Sequence, residues 1–131
     1  MDVDFAVDVQ GRAERIIGVL GLGHVNPFRV ICMRSRGCTA NAYARIWNLP
    51  QIWQKALAVE PYYVIEVLAE KFDCLADAEK DRVIIHELMH IPKTFSGALV
   101  PHECFGKKID RASVERIYRL YCERSAAGKS F

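Results

Sequence analysis

His86, Glu87 and His90 stand in the order HELMH, and three of the chain's four histidines fall between residues 86 and 102. On a helix, residues four apart share a face one turn above the other. Both imidazoles can then reach one Zn²⁺ at about 2.0–2.1 Å. Glu87 projects about 100° round the helix from His86 and comes to lie beside His90. There it needs no bond to the metal and is placed to take a proton from water. At this chain's content of His and Glu, about 0.01 such matches arise by chance.

A catalytic zinc takes three protein ligands and leaves one position open, whereas a structural zinc takes four. His102, twelve residues beyond His90, is the leading third ligand. Pro92, Gly97 and Pro101 suit a chain that turns back towards the helix. Glu115 is the rival, since some zinc peptidases draw a glutamate from a second helix. It shares its flank with Arg111 and Arg119, where surface ion pairing is the plainer use. Cys104 is the available fourth ligand for a structural site, although it also suits a small buried side chain. Glu103 adjoins His102, but neighbouring loop residues rarely both point inward. His24 is a turn histidine before "NP".

The helix bearing the motif runs from about Asp77 to Ile91, with Asp77, Glu79 and Asp81 near its start, where the helix dipole favours acids. Ile84, Ile85, Leu88, Met89 and Ile91 fill one arc for packing on a sheet, and His86, Glu87 and His90 fill the other. Val83 alone intrudes on the polar arc. Before this helix, residues 1 to 8 form a loose arm or a short edge strand, and Val9 to about Leu20 a helix stopped by "GLG". "PFRVICMRS" and "AYARIWNLP" read as strands. "QIWQKALAV" is a short helix whose preceding proline suits a helix start. "YYVIEVLAEKF" is a third strand, with Glu66 and Glu70 on a solvated face. A loop spans about 92 to 109. "DRASVERIYRLYCER" is a closing helix capped by Asp110, with Val114, Ile117, Tyr118 and Tyr121 as its buried stripe. The expected fold is an α+β domain spanning residues 1–131, frayed at 1–8 and 125–131.

At 131 residues the chain is long enough for a core without crosslinks. A net charge of +2 is too small to argue for nucleic acid, although both ends are mildly basic around an acidic middle. Five cysteines without a CxxC pair read as thiols in a reducing, cytoplasmic interior. No segment approaches a membrane span, and "IIGVLGLGHV" lacks the flanks of a signal peptide.

"VIIHELMHIPKTFSGALVPH", with "ARIWNLPQIW" and "YYVIEV" upstream, resembles a family of small metallopeptidases of archaea and phages. The similarity covers residues 25 to 125. It implies a minimal zincin-like fold, a small mixed sheet packed on an active-site helix, with His86, His90 and His102 on zinc and Glu87 as base. Metzincins carry a third histidine sooner after the second, where Thr94 to Ser96 stand here. SprT-type proteases, which act on DNA-associated proteins, usually show an HG-containing segment where this chain has "PHE". The expected activity is zinc-dependent hydrolysis of peptide bonds in a peptide or protein substrate. Tyr118 or Tyr121 is a conceivable second donor to the oxyanion, although the buried stripe also accounts for both. The alternatives are a non-catalytic zinc-binding interaction module and a SprT-like protease.

Overall fold

The computed structural model describes residues 2–128. Its elements are β1 (Asp2–Phe5), α1 (Val7–Leu20), a 3₁₀ turn at Pro27–Arg29, β2 (Val30–Arg36), β3 (Ala44–Asn48), α2 (Gln51–Leu57), β4 (Tyr63–Leu68), α3 (Ala69–Phe72), α4 (Asp77–Met89), β5 (Glu103–Cys104), β6 (Lys107–Lys108) and α5 (Arg111–Gly128). The architecture is α+β, with one mixed four-stranded sheet in the order β1-β2-β4-β3. β2 and β4 are parallel at its centre, and the edge strands β1 and β3 run antiparallel to them.

A central parallel strand is covered on both sides and reads as a nearly continuous apolar run, which is the character of "YVIEVL". Cys32, Ile65 and Ile46 lie side by side across β2, β4 and β3. With Val30, Tyr63 and Val67 they meet Val9, Ala13, Ile16 and Ile17 of α1 and Ile84, Ile85 and Leu88 of α4 in one core. Burying an Ile or Leu side chain contributes about 1.5–3 kcal/mol each, so the apolar arc of α4 is what seats the motif helix. Val114 and Tyr121 of α5 close the same core.

Polar ties then set the position of α4. Arg12 of α1 donates to Asp77 at 3.0 Å and to Asp81 at 2.8 Å, so it holds the first turn of α4. α1 itself ends where Gly21 adopts φ 61°, and the amide of Leu22 closes on the Ile17 carbonyl. Asp110 caps α5 by accepting from the Ser113 amide at 2.9 Å, and the Ser113 hydroxyl in turn accepts from the Asp110 amide at 2.9 Å.

Several elements differ from the sequence expectation. The N-terminal arm is a paired edge strand, one of its two expected forms, but α1 begins at Val7 rather than Val9. "YYVIEVLAEKF" is strand only to Leu68; Glu70 lies on α3 and accepts from the Gly37 amide. Glu66 is not solvated, because Arg45 and Trp47 of the edge strand reach across it. The loop after α4 contains the β5–β6 hairpin, whose two-residue strands are too short to show alternation. Residues 125–128 are helical, against the expected fraying, and the rest of that tail, residues 129–131, lies outside the described residues. Among the described residues no helix is long and apolar enough to cross a membrane.

Candidate metal centre

His86 and Glu87 lie in the last turn of α4, and His90 is its C-cap residue. The chain then runs through residues 91 to 101 and returns to place His102 beside them. The Nε2 atoms of His86 and His102 are 3.3 Å apart, and those of His86 and His90 are 3.4 Å apart. The donor atoms of all three lie within 4.8 Å of one another. Two ligands on a tetrahedral zinc with bonds of about 2.0–2.1 Å are separated by about 3.3–3.4 Å. The two close separations match that edge, so the three imidazoles fit a metal of this size and preference.

The remaining ring nitrogens support the same orientation. His90 Nδ1–H donates to the Val100 carbonyl, and the Val100 amide donates to the His90 carbonyl at 2.7 Å. With Nδ1 acting as donor, Nε2 keeps its lone pair for a metal, as metal-binding histidines generally do. Burial, followed by the neighbouring imidazoles, lowers the pKa of His86 to about 4. Burial also lowers that of His90. Both rings therefore stand neutral near pH 7, the form that ligates.

Glu87 is 7% exposed, and its carboxylate has no hydrogen-bond partner among the described residues. Burial raises its pKa to about 7. It lines a cleft of about 370 Å³ with His86, Arg82, Tyr43, Ala44 and Arg111. A larger cavity, about 830 Å³, lies on the apolar side of α4 against Leu20, Leu88 and Ile117, and touches none of the three histidines. The smaller cleft is the one lined by Glu87 and by His86 of the three histidines.

The remaining candidates do not join the three imidazoles. Glu115 lines the same cleft as His86 and Glu87, but it is held by Arg82 at 2.8 Å and Arg119 at 3.6 Å and is not among the converging donors. Cys104 is a free thiol on β5, and Glu103 sits opposite Lys108 in the hairpin. His24 lines the larger cavity. Tyr121 is buried in the core, and the Tyr118 ring lies under the Arg82 guanidinium at 4.2 Å. Neither tyrosine lines the cleft, whereas Tyr43 and Arg82 do. Arg82 was detectable as the residue one turn before His86; Tyr43 is brought in by sheet pairing, for which no local pattern exists.

A family model described as "Putative phage metallopeptidase" matches residues 3–123. No curated protein and no solved structure matches the chain.

Proposed function

The chain belongs to the phage metallopeptidase family, and we propose that it hydrolyses peptide bonds with zinc held by His86, His90 and His102 and with Glu87 as the proton carrier. The observation that supports this most is the convergence of three imidazoles next to a buried, unpartnered carboxylate. Three imidazole nitrogen donors suit zinc, which when bound activates water and polarises a carbonyl oxygen.

The protein's own groups do the rest. Glu87 takes the proton of the attacking water and passes it to the leaving amine. Its burial keeps bulk water from competing for that proton. β3 pairs on one side only, with β4, and Tyr43 and Ala44 at its start line the cleft beside His86 and Glu87. An extended peptide added to that free edge by main-chain hydrogen bonds would pass the carboxylate. Five free thiols support a reducing, cytoplasmic location, and residues 1–131 act as one catalytic unit.

The test is hydrolysis of a quenched peptide library by zinc-loaded protein. Cleavage that stops with a chelator and returns with zinc is expected. Protein that binds about one zinc per chain and cleaves nothing would leave a non-catalytic metal module.

A further inference from the structure

His102 is an exposed loop residue, and among the described residues its side chain's hydrogen-bond and ring partners are the other two histidines. Its backbone is held from both sides: the Ile109 amide donates to the His102 carbonyl at 2.7 Å, and the segment leading to it is gripped by side chains. Residues 96 to 98 belong to no helix or strand, yet side chains from three other elements satisfy their polar groups. Asn48, the last residue of β3, donates to the Gly97 carbonyl at 2.7 Å. Gln54 of α2 donates to the Ser96 carbonyl at 3.0 Å and to the Leu49 carbonyl at 2.7 Å.

Tyr63, the first residue of β4, completes the grip. Its hydroxyl accepts from the Gly97 amide at 2.9 Å and donates to the Ala98 carbonyl at 2.8 Å. The ring is wholly buried and meets Phe95 edge-on, with centroids 5.1 Å apart. Space at this point is exhausted. Gly97 has φ +91°, and a Cβ there would stand 2.2 Å from Gln54 Nε2 and 2.5 Å from the Leu49 carbonyl. Three residues later Val100 closes on His90 in both directions, and His102 follows.

We propose that Tyr63 is a positioning residue for the metal centre: its hydroxyl fixes the loop that sets His102 against the α4 pair, and so sets metal affinity. This rests on His102 being a ligand. Removing the phenolic oxygen leaves the buried Gly97 amide without its acceptor and frees the loop, while His86 and His90 stay on their helix. Groups that orient metal ligands typically change affinity by about 10–100-fold when removed.

The experiment measures zinc affinity of metal-free protein against a competing chromophoric chelator. The proteins are wild-type, Tyr63→Phe, His102→Ala and the double variant, and thermal unfolding of each metal-free protein is followed in parallel. Tyr63→Phe is expected to weaken zinc binding about 10–100-fold, His102→Ala by more, and the double variant no further than His102→Ala. That last equality separates action through His102 from a general loosening. Unchanged affinity in Tyr63→Phe, with affinity lost in His102→Ala, would overturn the positioning role and keep the ligand assignment. Unchanged affinity in His102→Ala would remove the ligand assignment itself. Should Tyr63→Phe fail to fold, Asn48→Ala, which removes an exposed side chain of β3 that holds the same loop, serves instead. A severalfold loss that vanishes in the His102→Ala background is expected, and a loss that persists there would count against the inference.

Discussion

Glu66 and Glu87 are buried almost equally, at 5% and 7% exposed, and their environments are opposite. Glu66 accepts from Arg45 at 2.7 Å and 3.3 Å and from the Trp47 indole at 2.8 Å. Hydrogen bonding from Arg45 outweighs the penalty of burial and holds its pKa at about 2. Glu87 has no such partner, and burial alone raises its pKa to about 7. Burial therefore does not say what a carboxylate is for. Its donors do: one glutamate is fully engaged and ties an edge strand to the sheet, while the other is left free to exchange a proton.

The contrast predicts its largest effect in activity. Glu87→Gln should lower peptide hydrolysis about 10²–10⁴-fold, the usual share of a general base, with zinc content unchanged. Initial rates and metal analysis on the same preparation check this, and loss of the metal would make Glu87 a ligand or its support. Glu66→Gln should leave zinc content unaltered and lower stability by about 1–3 kcal/mol, because Arg45 and Trp47 lose a charged acceptor. Part of the Arg45 side chain is solvent-exposed, which keeps the figure below that of a fully buried pair. Urea midpoints decide it.

The pH dependence should separate the two residues. The folded-state pKa of Glu66 is below its ordinary value of 4.5. Its contribution is therefore complete above pH 4.5 and fades as pH falls towards 2. The gap between wild-type and Glu66→Gln should narrow by pH 3. For Glu87 the folded-state value is raised, so ionisation costs stability as pH rises from 4.5 through about 7. Metal-free Glu87→Gln should then exceed wild-type by about 1 kcal/mol at pH 8 and match it at pH 4. Equal midpoints at pH 8 would mean that water already reaches the carboxylate. The smallest effect belongs to Arg12→Ala, at about 1 kcal/mol or less, since one of its two acids is largely exposed.

What was legible in the sequence follows the range of the interactions. Helical spacing put His86, Glu87 and His90 on one face of α4, because residues four apart meet on any helix. Apolar runs gave the central strands and the closing helix, and with them an α+β fold. Glu66 was misread because alternation assigns a side chain to a face, while the covering of that face by Arg45 and Trp47 depends on register between strands far apart in the chain. The strand reading of Glu70 failed because the apolar run of β4 passes into α3 without a break in composition. Tyr63 drew no notice as anything but a strand aromatic. Its two backbone partners lie more than thirty residues on, in a segment with no periodicity.

The three side chains that grip residues 96 to 98 come from positions 48, 54 and 63, all earlier in the chain than the loop they hold. During synthesis at about 5–20 residues per second, the elements bearing them emerge first, and α4 follows with His86 and His90. The mould for the last of the three histidines is thus made before that histidine leaves the ribosome. A nascent chain ending just after α4 holds two of the three converging imidazoles, so the order of the sequence itself delays their convergence until the loop has arrived.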